Sequence, residues 1–144
     1  MQVKEIMTLD VEVASPEDDL QTAARLMADS GAGVLPVCDG EKLVGMITDR
    51  DIAVRGVAEG KTPDKCNVRD VMTGEVNFIF EDEDITEAAK KMGEWQVHRL
   101  PVLDRQKQLV GIVSLGDLAL ETEEHQKLAE AVEGIAQPTG KHEQ

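Results

Sequence analysis

From Leu20 the chain carries apolar residues at Leu20, Ala23, Ala24 and Met27, and after an offset of 65 residues it carries them again at Ile85, Ala88, Ala89 and Met92. At the same offset Met7-Thr8 recurs as Met72-Thr73, and Leu35-Pro36-Val37-Cys38-Asp39 as Leu100-Pro101-Val102-Leu103-Asp104. One extra residue in the second copy then moves the offset to 66, so that Gly45-Met46-Ile47-Thr48-Asp49-Arg50-Asp51 answers to Gly111-Ile112-Val113-Ser114-Leu115-Gly116-Asp117. Such a period means two copies of one supersecondary unit, which bury their apolar faces against each other. At 144 residues there is chain enough for one domain or for two very small units sharing a core, and neither copy would be comfortable alone.

One copy can be read in order. After an extended lead-in at Ile6–Val11, Ser15-Pro16-Glu17-Asp18 reads as a helix start, with a Ser N-cap, Pro in the first turn and acids behind it. The apolar residues from Leu20 to Met27 then form one stripe of an amphipathic helix, which Gly31 ends. Val34–Cys38 reads as a strand, Asp39-Gly40 as the turn, Leu43–Ile47 as a second strand, and the helix beginning at Asp49 runs to about Ala58. The order is strand, helix, strand, strand, helix, a mixed α+β arrangement. Residues 3–58 and 69–122 are assigned to the two repeats, 59–68 to a polar surface linker containing Gly60 and Pro63, and 123–144 to a C-terminal helix and tail. In that helix Leu128, Val132 and Ile135 mark the apolar side, Gln137-Pro138-Thr139-Gly140 ends it, and His142 reads as a solvated tail residue.

With aromatic residues at 2% and no Tyr, the core has to come from Val, Leu, Ile, Ala and Met, and there is little with which to stack single-stranded bases. A formal net charge of −14 repels a phosphate backbone, which argues against nucleic acid as a partner. No apolar run reaches the length of a membrane span and no signal-peptide core is present, so a soluble, cytoplasmic protein is expected. Cys38 and Cys66 lack zinc-knuckle spacing; Cys38 reads as a small buried residue, with a Cys38–Cys66 bridge as the alternative. No metal site is indicated.

The Gly-x-x-Thr/Ser-x-x-Asp stretch supports two readings. In the first, Thr48 with Asp51 and Ser114 with Asp117 are near-capping boxes, satisfying orphan N–H groups of a first helical turn and contributing about 1 kcal/mol each. In the second, the hydroxyl at a helix N-terminus suits a phosphate or ribose oxygen, and the carboxylate accepts both hydroxyls of a ribose.

Two copies of this unit, with Met-Thr at the start, Leu-Pro-Val-x-Asp in the middle and Gly-x-x-Thr/Ser-x-x-Asp at the end, closely resemble a tandem CBS-domain pair, or Bateman module. The resemblance covers about residues 3–122 and is to a small stand-alone member with no attached catalytic or transport domain. It implies two β-α-β-β-α repeats packed through their sheets about a pseudo-two-fold axis, with clefts that bind an adenine nucleotide (AMP, ADP or ATP) as a regulatory ligand, and no required cofactor. It places Asp51 and Asp117 at the ribose, Thr48 and Ser114 at ribose or phosphate, and the backbone around Val34, Pro36 and Pro101 along the adenine pocket. His98 and Arg99 fall where some members contact phosphate, and Arg50 is a further candidate cation. Dimerisation through the helices is implied as well, with occupancy signalled to a regulated partner that the sequence does not identify.

The copies differ where a ligand would sit. The first has Arg50 beside its Asp and Gly31-Ala32-Gly33-Val34 before its strand; the second has Gly116 and Gln96-Val97-His98-Arg99, so two unequal sites are expected. Structural readings stand beside these: Arg50 as a solvated helix residue, Arg99 paired with an acid across the repeat interface, His98 as a satisfied interface residue, and Trp95 packed at a helix end. The rival function is an interaction module in which both Asp residues are caps and the acidic surface and C-terminal helix are the working parts. S-adenosylmethionine is an alternative adenosyl ligand. An enzyme finds no support, because no base stands beside a candidate nucleophile and no phosphate loop is present.

Overall fold

The computed structural model describes residues 1–121 and 125–138. It divides into two compact units, one of Glu12–Val76 and one in which Met1–Val11 joins the chain from Asn77 onward.

In the unit Glu12–Val76, helix α1 (Leu20–Ser30) leads into strands β1 (Val34–Asp39) and β2 (Lys42–Thr48). A short helix α2 (Asp49–Asp51) continues as a π-helical turn, Ile52–Val57, and a 3-10 turn at Val68–Asp70 follows the linker. β1 and β2 pair antiparallel, with Val34 opposite Thr48 and Pro36 opposite Met46. Their inner face packs with Leu20, Ala23 and Met27 of α1 and with Cys66, Val68 and Val71, which together form the core.

The other unit opens with a 3-10 turn at Val3–Glu5 and contains β3 (Ile79–Phe80), α3 (Ile85–Trp95), β4 (Arg99–Leu103), β5 (Leu109–Ser114), α4 (Leu115–Glu121) and α5 (His125–Ile135). The sheet order is β3-β4-β5, with β3 parallel to β4 and β5 antiparallel to it. Its core joins Val3, Ile79, Ile85, Ala88, Met92, Leu100, Val102 and Val113.

Each lead-in therefore packs on the other copy's hairpin. Thr8 exchanges hydrogen bonds with Ile112, and Thr73 does the same with Met46. The motif glycines follow from this crossing: a Cβ on Gly45 would lie 2.7 Å from Met72 Sδ and 2.8 Å from the Thr73 oxygen, and one on Gly111 2.7 Å from the Thr8 oxygen. Only a residue without a side chain admits the passing backbone.

Several local expectations are corrected. α1 starts at Leu20 with Asp19 as its N-cap, not at Ser15. Ser15–Asp18 instead closes a turn of its own, the Ser15 N–H donating to Asp18 Oδ2 at 2.8 Å. The bond from the Thr22 N–H holds the Asp19 carboxyl below the usual carboxylate range. In the first copy the opening strand shrinks to a bridge between Ala14 and Val37. Its counterpart β3 continues because the Glu81 N–H donates to the Leu103 oxygen, and the residue in the matching place is Pro16, which has no N–H to give. On α1, Ala24 is exposed and Leu26 packs in its stead. On α5, Ala131 joins Leu128 and Ile135 against the core while Val132 is exposed, because α5 approaches α3 through glycines: a Cβ on Gly134 would lie 2.5 Å from the Gly93 oxygen.

Gly31 ends α1 with φ of +71° as expected, and the matching Gln96 takes φ of +57°. The Gln96 side chain donates to the Gly134 oxygen at 2.7 Å, fixing α5. Trp95 closes α3 half-buried, with Lys91 Nζ 5.7 Å from its ring centroid. Cys38 and Cys66 are both buried free thiols, and burial pushes the Cys38 thiol up. His142 lies outside the described residues, as do Thr139 and Gly140. Among the described residues no helix is long and apolar enough to cross a membrane.

Candidate functional site

In each unit the second strand of the hairpin runs out at a hydroxyl residue and the chain turns at once into a helix. In the first repeat the Thr48 N–H donates to Asp51 Oδ2 at 2.9 Å and the Asp51 N–H to Thr48 Oγ1 at 3.0 Å. The second repeats this nearly to the tenth of an ångström, Ser114 N–H to Asp117 Oδ2 at 2.9 Å and Asp117 N–H to Ser114 Oγ at 3.1 Å. Both are therefore reciprocal capping boxes, made with Asp in place of Glu.

The two turns differ in depth. Asp51 is 4% and Thr48 7% exposed, whereas Ser114 and Asp117 are half-buried. Asp51 Oδ1 lies 3.9 Å from Arg55 Nη1, and that nitrogen donates to the Val71 oxygen at 3.0 Å and the Met72 oxygen at 3.4 Å. In the second repeat the position matching Arg55 is Glu121, the last residue of α4.

The first strand of each hairpin brings further candidates to the turn. Val34 stands opposite Thr48, and Arg99 opposite Ser114. The Asp49 N–H donates to the Gly33 oxygen at 2.9 Å, just as the Leu115 N–H donates to the His98 oxygen at 2.7 Å. Gly33 and His98 thus occupy matching places, as do Asp49 and Leu115. Asp49 Oδ2 would be 2.9 Å from a Cβ at Gly33, so its carboxylate fills the space that a side chain there would take. Chemically the first turn presents carboxylates and one exposed Arg50, and the second an exposed His98 and a half-buried Arg99. Among the described residues Arg50, His98 and Arg99 enter no ion pair. Pro36 and Pro101 are buried one turn of the pleat farther along β1 and β4, opposite Met46 and Ile112.

Thr48, Asp51, Arg50 and Val34 therefore assemble in one unit, and Ser114, Asp117, His98, Arg99 and Pro101 in the other. Sequence reasoning missed Arg55, Asp49 and the two motif glycines' role. Arg55 was signalled only by its spacing of four from Asp51, and Gly33 only by lacking the side chain that its counterpart has. A groove of about 380 Å³ between α3 and α5 and a hollow of about 410 Å³ beside α1 contain none of these residues. Among the described residues no group of three or more His, Cys, Asp or Glu is placed so that it could hold a metal ion.

The family model described as the CBS domain matches residues 3–56 and again 68–124. The chain is 39% identical over 137 residues to the CBS domain-containing protein YhcV of Bacillus subtilis, covering 93% of this chain and 94% of that one. It is 33% identical over 136 residues to hypoxic response protein 1 of Mycobacterium tuberculosis, covering 94% of each. Hypoxic Response Protein I has been solved with two coordinated zinc ions and superimposes with a TM-score of 0.78 at 32% identity, covering 85% of this chain and 99% of that one. The CBS domain pair of protein MJ0100, in complex with 5′-methylthioadenosine and S-adenosyl-L-methionine, gives 0.73 at 30% identity, covering 83% and 98%. CBSX2 of Arabidopsis thaliana in complex with AMP gives 0.71 at 25% identity, covering 83% and 93%.

Proposed function

Because this chain belongs to the CBS-domain family, whose paired modules are generally regulatory, we propose that it is a non-catalytic sensor that holds an adenine nucleotide, AMP, ADP or ATP, at one or both Thr/Ser-x-x-Asp turns. The observation that carries the reading is the pair of turns itself. In both repeats a hydroxyl and a carboxylate meet at the end of a strand with near-identical geometry, beside an apolar strand on which a base can lie. Asp51 and Asp117 take the ribose hydroxyls, Thr48 and Ser114 a ribose or phosphate oxygen, Val34, Pro36 and Pro101 line the base, and Arg50, His98 and Arg99 receive phosphate charge. The AMP complex of one structural neighbour and the S-adenosyl-L-methionine complex of another support an adenosyl ligand as the class. On this reading the protein works as a cytoplasmic homodimer and passes occupancy to a regulated protein. A ligand shifts that equilibrium only by its differential affinity for the two states.

The test is thermal unfolding with AMP, ADP, ATP, GTP, NAD and S-adenosylmethionine, repeated on Asp51→Ala and Asp117→Ala. A ligand at a hundred times its dissociation constant adds roughly 2.7 kcal/mol, a clear shift in midpoint. If adenosyl ligands alone raise the midpoint and one substitution removes the effect, the occupied turn is identified. A panel that moves nothing, with both variants merely less stable, leaves the Asp residues as caps and supports the interaction-module reading, in which the acidic surface and the C-terminal helix, with its exposed Val132, are the working parts.

A further inference from the structure

We infer that Arg55 is a positioning residue that ties the first repeat's carboxylate to the crossing segment Val71–Thr73, so that a ligand on Asp51 is felt by that segment. The inference rests on the ligand reading above and deepens it by assigning the route by which occupancy leaves the site.

Three observations carry it. One guanidinium nitrogen stands 3.9 Å from the buried Asp51 carboxylate and donates to two consecutive carbonyls, Val71 at 3.0 Å and Met72 at 3.4 Å. Those carbonyls follow the 3-10 turn Val68–Asp70, where backbone acceptors lack partners in their own helix and a cation satisfies them. The next residue, Thr73, exchanges two backbone hydrogen bonds with Met46, two positions before Thr48 on β2. Arg55, Asp51, Thr48, Met46 and Thr73 thus form a closed circuit of carboxylate, cap, strand and crossing segment. Second, Arg55 sits inside the π-helical turn Ile52–Val57, closed by the Ala58 N–H to the Ala53 oxygen at 2.9 Å. Such turns are rare and concentrate at functional sites, and α4 in the second repeat is an ordinary α-helix. Third, among the described residues the second repeat has the same capping box without the link, since the Glu121 carboxylate carries no donor for a carbonyl. The link is thus a property of one repeat and not of the duplicated turn.

Ribose hydroxyls arriving at Asp51 redistribute the carboxylate's charge between ligand and Arg55, and Arg55 in turn adjusts its hold on Val71 and Met72. Three residues beyond Thr73 the chain crosses at Val76 into the other unit.

The experiment is calorimetric titration with AMP, and separately with S-adenosylmethionine, together with amide hydrogen exchange on the full chain. Its variants are Arg55→Met, Arg55→Lys, Glu121→Gln, Asp51→Ala and Asp117→Ala. Arg55→Met is expected to weaken binding roughly tenfold. It should also speed exchange at Met46 and Thr73 in the unliganded protein and remove the ligand-dependent protection of those amides. Arg55→Lys, which keeps the charge and loses the planar fork, should fall between, and Glu121→Gln should leave Thr8 and Ile112 unchanged. If Arg55→Met binds and protects as the unsubstituted protein does while Asp51→Ala abolishes binding, the inference is overturned and the ligand reading stands. Binding lost only in Asp117→Ala likewise overturns the inference and confines the ligand to the second repeat. Binding absent from the unsubstituted protein, or unaffected by either Asp substitution, overturns both.

Discussion

In the first repeat the cap carboxylate is buried and stands near an arginine, with α1 exposing Ala24 and Ala28 on its outer side; in the second the carboxylate is half-buried, a glutamate replaces the arginine, and α5 lies over Ala89 and Gly93 at the matching positions of α3. The cap hydrogen bonds of the two turns agree in length to about a tenth of an ångström, yet their surroundings share little. Duplication has preserved what the backbone needs at the strand-to-helix junction, and the neighbours have diverged around it. A residue shared by both copies therefore reports first on capping and crossing, and one present in only one copy, such as Arg55, His98 or Asp49, reports on what makes the repeats unequal.

Substitutions can break that contrast most sharply on the helix faces. Gly134→Ala forces a methyl group against the Gly93 backbone and is expected to cost about 3 kcal/mol in denaturant unfolding, at the upper end for overpacking. Ala28→Leu, at the position that matches Gly93 but is exposed, should stay within about 0.5 kcal/mol. Equal losses would show that α1 is covered as α3 is. At the caps, Thr48→Ala and Ser114→Ala should each cost about 1 kcal/mol, with the larger loss at buried Thr48. A larger loss at Ser114 would reverse the order of depth.

The smallest expected effect is a shared one. Asp19 caps α1 and Asp84 caps α3, and bonds from Thr22 and Thr86 respectively hold both carboxyls below the ordinary carboxylate range. A depressed folded value means a contribution fully present above the ordinary carboxylate range and lost as pH falls through that range and the depressed value. Asp19→Asn and Asp84→Asn should each flatten the acid limb of the stability curve slightly and by like amounts. A steepened limb in either variant would reverse the assigned sign.

Much of this was legible in the sequence, for reasons that are local. The hairpins follow from Asp39-Gly40 and the apolar runs around it, the end of α1 from Gly31, and both caps from a hydroxyl three residues before a carboxylate. Pro16 even contained the reason for the shortened opening strand, since a residue without an N–H cannot extend a ladder. What periodicity could not reveal is partnership. Met7-Thr8 and Met72-Thr73 read identically whether each packs on its own copy's hairpin or on the other's, because a pattern of apolar residues specifies a face and not which sheet receives it. Val132 was misplaced for a related reason: the spacing of Leu128, Val132 and Ile135 fits a helix, but the rotation of α5 about its axis is set by the near-contact of Gly93 and Gly134. The π-helical turn around Arg55 was not legible either: the one unusual residue among Ile52–Val57 is Gly56, and a glycine inside a helix does not by itself specify a π turn.

The crossing of the lead-ins also sets a timetable. The unit Glu12–Val76 is one uninterrupted length of chain and contains all its own parts once Val76 has been synthesised, whereas the other unit needs Met1–Val11 from one end and Asn77 onward from the other. On a ribosome the earliest of these segments emerges well before its hairpin exists, and closing that gap incurs the loop entropy of everything between. Folding is thus ordered by connectivity: the inserted unit can form first, with Met1–Val11 waiting for Gly111 to arrive.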